Sequence, residues 1–338
     1  MSQALARCWF GRGPAWLRWS LAPLYPLSLL FRVLVALRRA LYRVGLLKAV
    51  RLPVPVIVVG NLSVGGSGKT PLALALVDWL RQAGYAPGLI SRGYGGRARE
   101  VMPVRPDSDP ALVGDEPVLL ARRAGCPVWI GRRRGQAGQQ LLAFHPEVDV
   151  ILTDDGLQHY ALARDMEIVV VDGERGFGNG RLLPAGPLRE PLSRLAEVDA
   201  VVINGGAGSL SFPVPAFSMA LAGHSLVNLA RPDLVVPPSH FRGGKVHALA
   251  GIGNPDRFFA RLTALGLEIE PRSFPDHHGF VAADLPPGTV IMTEKDAVKC
   301  AAFGRPDAWF LAVDAEVDGG LNTLLLTVLK ARHGPKTA

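Results

Sequence analysis

Apolar positions fall in continuous runs at intervals along the chain, each run closed by a glycine- or aspartate-rich turn and followed by a segment with helical spacing. Val54-Pro-Val-Ile-Val-Val-Gly60, Val148-Asp-Val-Ile-Leu-Thr-Asp154 and Ile168-Val-Val-Val171 have no polar alternation, as expected of parallel strands buried on both faces. The pattern predicts strands at 55–60, 86–91, 127–131, 148–153 and 167–172, with helices near 69–82, 115–124 and 132–144. Around 209–238 the texture turns proline-rich, with Pro213, Pro215, Pro232, Pro237 and Pro238, and predicts only short strands and a junction. A second α/β unit follows: strand 245–250, helix 255–265, strand 289–292, a helix from about 295, strand 309–313 and a final helix near 319–332. The fold class is therefore α/β, a mostly parallel sheet with helices on both faces. Its divisions are an N-terminal segment 1–51, a core 52–208, a linker region 209–240 and a smaller unit 241–338 that closes over the cleft.

The turn after the first strand changes this from a fold to a function. Ser63-Val64-Gly65-Gly66-Ser67-Gly68-Lys69-Thr70 lies between a buried strand and a helix, the layout that cradles a nucleoside triphosphate. Backbone N–H groups wrap the phosphates, Lys69 reaches the β- and γ-oxygens, and the Thr70 hydroxyl ligates Mg²⁺. Ser63 stands where the usual motif has glycine. Thr293-Glu-Lys-Asp296 is not the motif that reads guanine, since its lysine falls one place late, and this favours ATP over GTP.

Charge is distributed unevenly. The chain carries a net +8, yet residues 1–51 hold nine Lys/Arg and no acid, leaving 28 basic against 29 acidic residues in the rest. The excess belongs to one segment, and a nucleic-acid partner is not indicated. That segment also contains Trp9, Trp16 and Trp19, and from Leu27 to Val50 apolar residues alternate with arginines. Its longest uncharged run, Trp19 to Phe31, contains two prolines and falls short of a membrane's hydrocarbon core. A cationic helix with an apolar side, lying in an anionic membrane interface with its tryptophans at headgroup level, is the expectation, and a helix packed on the body is the alternative. Cys8, Cys126 and Cys300 follow no metal spacing and read as buried thiols in a reducing compartment.

Further candidates sit at strand ends. Asp154-Asp155 closes a buried strand where parallel-sheet ligands bind and suits a magnesium site. Gly114-Asp115-Glu116-Pro117 opens a helix, and Asp115 reads either as a helix cap or as a base for a hydroxyl proton. Ser91-Arg92-Gly93-Tyr94 leaves another strand toward the same edge. Gln158-His159 can touch phosphate or substrate, or cap its loop. Arg189-Glu190 offers a charge stabiliser or a surface loop, and Arg132-Arg133-Arg134 a solvated or phosphate-facing helix start. Of Asp276-His277-His278, neighbouring side chains do not share a face, so one histidine orienting a carboxylate fits better than a shared metal.

Taken in order, Gly60-Asn-Leu-Ser63 through Lys69-Thr70, Ser91-Arg-Gly-Tyr94, Gly114-Asp-Glu-Pro117, Thr153-Asp-Asp-Gly-Leu-Gln-His159, Leu183 to Glu190, Gly251-Ile-Gly-Asn-Pro255, Phe274 to His278 and Thr293 to Asp296 resemble the tetraacyldisaccharide 4′-kinases of lipid A biosynthesis. The resemblance runs over nearly the whole chain, and the family's loop is similar at Ser63. It implies ATP- and Mg²⁺-dependent phosphorylation of the 4′-hydroxyl of a lipid A disaccharide 1-phosphate, at the cytoplasmic face of the bacterial inner membrane and with no obligate protein partner. Asp115 would then receive the proton, with His277 or His278 beside it. Lys69 and Arg189 would neutralise charge, Thr70, Asp154, Asp155 and Glu116 would serve the metal, and Arg92, Tyr94, His159, Glu190 and His278 would line the acceptor site. A membrane-recruited nucleotide-hydrolysing switch and a soluble small-molecule kinase share the loop and the acid pair and remain the competing readings.

Overall fold

The computed structural model describes residues 8–11, 21–206 and 210–333, so the expectations for Trp16 and Trp19 lie outside the described residues. The strands join in one thirteen-stranded sheet. Its first half carries β1 (Val56–Gly60), β2 (Pro87–Ser91), β3 (Met102–Val104), β4 (Val128–Ile130), β5 (Val150–Thr153), β6 (Met166–Asp172) and β7 (Ala200–Asn204). β8 (Ala216–Asn228) and β9 (Val235–Val236) follow, then β10 (Lys245–Ala250), β11 (Glu268–Ser273), β12 (Val290–Thr293) and β13 (Ala308–Val317). The order across the sheet is β11-β10-β12-β13-β8-β7-β6-β1-β5-β2-β4-β3, with β9 beside β8. β1, β5 and β6 have every residue buried, which is what continuous apolar runs require of parallel strands.

β8 and β13 pair antiparallel over most of their length and weld together two mostly parallel halves, β3 beside β4 and β9 beside β8 being the other antiparallel pairs. This corrects the expectation of short strands at 209–238: β8, at thirteen residues, is the longest strand described. Prolines flank it at 213, 215 and 232 and do not interrupt it, so the texture marks its ends and not its absence. β3, β7, β9 and β11 also go unannounced by the pattern. β3 and β11 are edge strands with little buried surface, and β9 has only two residues; β7 has a plain apolar run, Ala200-Val-Val-Ile, that the pattern reading passes over.

Helices α1 (Tyr25–Arg43), α2 (Lys69–Gln82), α3 (Pro110–Val113), α4 (Asp115–Arg123), α5 (Arg134–Phe144), α6 (Pro255–Ala264), α7 (Glu294–Cys300) and α8 (Gly319–His333) cover the sheet. Leu72, Leu76 and Leu80, at four-residue spacing on α2, pack with Val118 and Leu120 of α4 against Ile57 and Leu152 of the sheet. Leu321, Leu325 and Leu329 of α8 enter that same core, so the last helix crosses back over the first half. On the opposite face Ala137 and Leu141 of α5 pack against Ile151 and Val169. The second half has cores of its own, around Phe258 and Leu262 on one face and Phe280 and Met292 on the other.

α1 ends at Arg43, short of the expected Val50, and a turn and Gly45 at φ +76° follow. It is anchored by the Ser28 hydroxyl, which donates to Leu182 O and accepts from Ala185 N, and by ion pairs of Arg39 and Arg43 with Glu197. Leu27, Leu29, Leu30, Val33, Leu34 and Leu37 remain exposed along it. Trp9, expected at headgroup level, is instead buried with Cys8 and Leu21 against Val64 and Leu183. A large apolar ring beside the glycine-rich loop finds a protein cavity before it finds lipid.

Candidate functional site

Parallel strands β1, β5, β2 and β4 lie side by side and present their C-terminal ends to one edge, where their exit turns converge. After β1 the chain turns through Ser63 to Gly68 into α2. Ser63 pairs as an isolated bridge with Leu188, and Val64 N donates to Pro187 O at 2.9 Å. Neither residue has a positive φ, which explains why glycine is not needed at Ser63. Gly65 at φ +105° and Gly68 at φ +94° do need to be glycine. The Asn61 amide holds Gly65 O and Ser67 Oγ, each at 3.3 Å. Asn204, at the end of β7, donates to Ser67 O at 2.9 Å and is itself held by Arg257 of α6. Thus the second half of the molecule reaches the loop through Arg257 and Asn204.

The β5 exit supplies two acids in different states. Asp154 is buried, with Oδ2 accepting from Thr70 Oγ1 at 3.2 Å and Oδ1 left without a hydrogen-bond partner. Burial, reinforced by the Glu116 charge, pushes its carboxyl up to about 7 despite Lys69 nearby. Asp155, at φ +48°, meets Lys69 Nζ at 3.6 Å and Arg189 Nη1 at 3.1 Å. Burial would raise its carboxyl, but the Lys69 and Arg189 charges outweigh that and hold it at about 2. This carboxylate neutralises Lys69 and Arg189 and holds both cations beside the glycine-rich loop. An orphaned acid oxygen beside a hydroxyl fits a hard cation that keeps several waters and shares phosphate oxygens. Among the described residues there is no cluster of three or more acidic, histidine or cysteine side chains suited to a metal. Glu116, expected at the metal, is engaged by Lys295 Nζ at 2.9 Å.

Behind this edge Glu190 is buried, with one oxygen accepting from Gln158 Nε2 at 2.9 Å and the other from Tyr160 Oη at 2.5 Å. It orients those side chains and lies beneath the surface in this structure. His159 is half-buried, and burial together with Arg134, Arg164, Arg38 and Arg92 lowers its imidazole to about 4, so it is neutral at physiological pH. Arg134, the last of the arginine triplet, is buried and donates to Asp155 O at 3.3 Å.

Asp115 opens α4 after Gly114 at φ +97°, buried, with Oδ1 accepting from the Glu116 N–H at 2.9 Å. His277, on the loop after β11, places Nδ1 at 3.1 and 3.2 Å from its two oxygens. Burial acting alone would raise the Asp115 carboxyl. The His277 hydrogen bond and the charges of Lys295, His277 and Lys299 prevail and hold it at about 2. His277 is correspondingly raised, since the Asp115 bond outweighs its own burial and the repulsion of Lys295. His277 has φ +59°; with Asp155 it makes the only two non-glycine residues at positive φ among those described, and such strain concentrates at functional sites. The Tyr94 ring lies 4.9 Å from the His277 ring. His278 turns away, stacking on Phe274 and pairing with Asp284 at 3.0 Å, so the histidine facing Asp115 is His277.

The two ends of the site are close. A Cβ built on Gly253 would lie 2.9 Å from Gly66 N and 3.5 Å from Asp276 Oδ2, which ties the phosphate loop to the residue before His277. Sequence reasoning missed Lys295 and Lys299 as neighbours of Asp115, Asn204 as the support of the loop, and Gly253 as its contact. Lys295 was visible only within a motif that capping explains, and indeed Thr293 Oγ1 accepts from Asp296 N at 3.2 Å.

A family model described as tetraacyldisaccharide-1-P 4′-kinase matches residues 20–330. A tetraacyldisaccharide 4′-kinase of Methylobacillus flagellatus is 51% identical over 331 residues, 97% of this chain and 96% of that one. Another, of an Azoarcus species, is 54% identical over 331 residues, 96% and 95% of the two chains. Among solved structures, LpxK of Aquifex aeolicus, an “apo” form in complex with ATP, superposes with a TM-score of 0.79 at 31% identity, covering 91% of this chain and 99% of that one.

Proposed function

The chain belongs to the tetraacyldisaccharide 4′-kinase family, and from that premise we propose that it transfers the γ-phosphoryl group of ATP to the 4′-hydroxyl of a tetraacyldisaccharide 1-phosphate, a lipid A precursor. The observation that carries the assignment of roles is the Asp115–His277 pair, at 3.1 Å, reached from the two halves of the molecule and lying beside the glycine-rich loop. A nucleotide-hydrolysing switch has no use for such a pair.

In this reading the loop from Ser63 to Thr70 holds the triphosphate, with its N–H groups and the α2 N-terminus facing negative charge. Lys69 and Arg189 leave Asp155 for phosphate oxygens and neutralise the group in flight. Thr70 and Asp154 would hold Mg²⁺, which supplies charge neutralisation across the phosphates. Asp115 accepts the 4′-hydroxyl proton. A carboxylate at about 2 is a weak base in isolation, but a loose phosphoryl transition state asks for the proton only late, once the oxygen has begun to bond phosphorus. His277 fixes the carboxylate's orientation, and Tyr94 and Arg92 flank the acceptor. The second unit closes the cleft through His277, Lys295 and Gly253.

The acceptor's acyl chains stay in a membrane, so the enzyme works at its surface. The exposed leucines and valines of α1, interspersed with arginines, suit an anionic interface on the cytoplasmic face of the inner membrane. No described helix is long and apolar enough to cross a membrane. Transfer of labelled phosphate from ATP to the disaccharide 1-phosphate tests the reading. Wild type is expected to form lipid product, and Lys69→Ala to lose at least about 10²-fold in rate. Folded wild type that hydrolyses ATP without labelling the lipid would overturn it.

A further inference from the structure

α1 reverses the usual order of a surface helix, which keeps its apolar side inward. Leu27, Leu30, Val33, Leu34 and Leu37 are exposed, whereas Ser28, Arg39 and Tyr42 lie against the body. Toward its C-terminal end the inner face meets Tyr160, which follows His159 on the loop after β5. The Tyr160 ring has the Tyr42 ring at 6.0 Å and the guanidinium groups of Arg38 and Arg164 each at 5.6 Å. These contacts fix where the phenol points. Its hydroxyl donates to Glu190 Oε2 at 2.5 Å, and burial together with the Glu190 charge raises the phenol, so it stays protonated. Arg194 Nε lies 3.4 Å from the same oxygen but makes no hydrogen bond there, which leaves Tyr160 as the donor that sets the rotation of this buried carboxylate.

The rotation is passed on through Gln158. Its Nε2 donates to Glu190 Oε1 at 2.9 Å and to Asn61 O at 3.0 Å, which uses both N–H groups of the amide. The amide oxygen is thereby turned the other way, 3.4 Å from Arg189 Nη1. An amide flipped by a misplaced Glu190 would set N–H groups against the guanidinium, donor against donor. Glu190 therefore decides which end of Gln158 meets Arg189. Asn61 in turn holds the phosphate loop at Gly65 O and Ser67 Oγ. We propose that Tyr160 is a positioning residue for phosphoryl transfer, which steers Arg189 through Glu190 and Gln158 and makes the inner face of α1 part of the support of the catalytic site. The inference rests on the role given to Arg189 above. When Arg189 leaves Asp155 for phosphate oxygens, Gln158 is the contact that keeps its guanidinium in register. α1 then uses both faces, the apolar one for lipid and the polar one for the transferred group.

The test has two readouts, both taken well below the thermal midpoints of all variants. One is transfer of labelled phosphate from ATP to the disaccharide 1-phosphate. The other is equilibrium binding of ADP with aluminium fluoride and magnesium, which mimics a phosphoryl group in flight, set against binding of ATP. Tyr160→Phe keeps the ring against α1 and removes only the hydroxyl. Its kcat and its affinity for the mimic should each fall about 10-fold, with KM and affinity for ATP within about 3-fold of wild type. Arg189→Gln should lose more, and adding Tyr160→Phe to it should cost nothing further, because both changes act on one guanidinium. Wild-type behaviour of Tyr160→Phe overturns the proposal, and so do losses that add in the double variant. On the helix side, Arg38→Gln/Tyr42→Leu should weaken mimic binding about 3-fold in the otherwise wild-type chain and not at all in Tyr160→Phe. An equal loss in both backgrounds overturns the link to α1. Wild type that binds the mimic in this pattern but labels no lipid counts against the acceptor reading alone.

Discussion

Asp115 and Asp154 are both buried carboxylates at one sheet edge, yet their surroundings drive them in opposite directions. Asp154 has one hydroxyl partner and an orphaned oxygen, and its carboxyl rises to about 7. Asp115 has a histidine and two ammonium neighbours and falls to about 2. The difference lies in where the partners come from. Everything around Asp154 belongs to the first half of the sheet, close to the phosphate loop. The cations around Asp115 come from the second half, on the β11 loop and on α7. In the proposed reading, the buried acid left short of partners receives a cation that arrives with the substrate. A buried acid supplied across a cleft is complete only when the two halves meet.

Neutralising each acid should separate them most sharply. Asp115→Asn is expected to lower kcat by about 10³-fold, within the range for loss of a general base, while leaving KM for ATP within a factor of a few. It should also destabilise the fold, since His277 loses the carboxylate it faces, while Lys299 keeps its closer ion pair with Asp296 at 2.8 Å. Asp154→Asn should raise the magnesium concentration for half-maximal rate by at least about 10-fold. It should, however, stabilise the metal-free protein. Asp154 has its folded carboxyl raised above the ordinary 3.8, so burial penalises the ionised form increasingly as pH climbs from 3.8 to about 7. The gain from asparagine is then greatest above pH 7. Thermal unfolding with a chelator, at pH 5 and pH 8, reads both signs. The comparison fails if the two variants shift stability in the same direction.

His277→Gln probes the contact across the cleft and should cost roughly 10-fold in kcat, because glutamine can donate to Asp115 without fixing it as firmly. The stability effect has a defined pH course. His277 is raised in the folded protein, so its protonated form contributes stability that is fully present below the ordinary imidazole value near 6.5 and is lost as pH rises through its folded value. The difference in unfolding midpoint between wild type and His277→Gln should therefore narrow from pH 6 to pH 9. A difference that stays constant over that range would mean that His277 is not charged in the pair.

The same division governs what could be read from the chain alone. The phosphate loop, Asp154-Asp155 and the buried strands are local patterns, because strand, turn and helix start follow one another within a few residues. Asp115 reads as a helix cap until His277, 162 residues later, is placed beside it. Lys299 carries no signal, and Lys295 carries only that of a strand-to-helix motif, since their place beside Asp115 arises from pairing α7 with α4. Glu190 shows the converse: its place in a motif suggests contact with substrate, while the bonds its oxygens accept from Gln158 and Tyr160 emerge only from the fold. β8 was hidden because prolines at its ends outweigh, by eye, the thirteen residues of strand near them.

The smallest expected effect tests whether the second half touches the nucleotide site as well as the base. Gly253 sits in the turn between β10 and α6, its carbonyl accepting from Arg175 Nη2 at 3.0 Å. A Cβ there would lie 2.9 Å from Gly66 N and 3.5 Å from Gly65 Cα. Those are backbone atoms of the phosphate loop and cannot swing aside as a flexible side chain would. Gly253→Ala must therefore part the two loops by a few tenths of an ångström, without opening a cavity or burying a new polar group. Stability should barely change, as the turn lies at the rim of the second half's cores. KM for ATP should rise about 2- to 5-fold, the equivalent of 0.5–1 kcal/mol of lost binding, and kcat should follow only as far as His277 moves with the turn. An unchanged KM would mean that the contact is a passive approach of two surfaces, and the second half would then serve Asp115 alone.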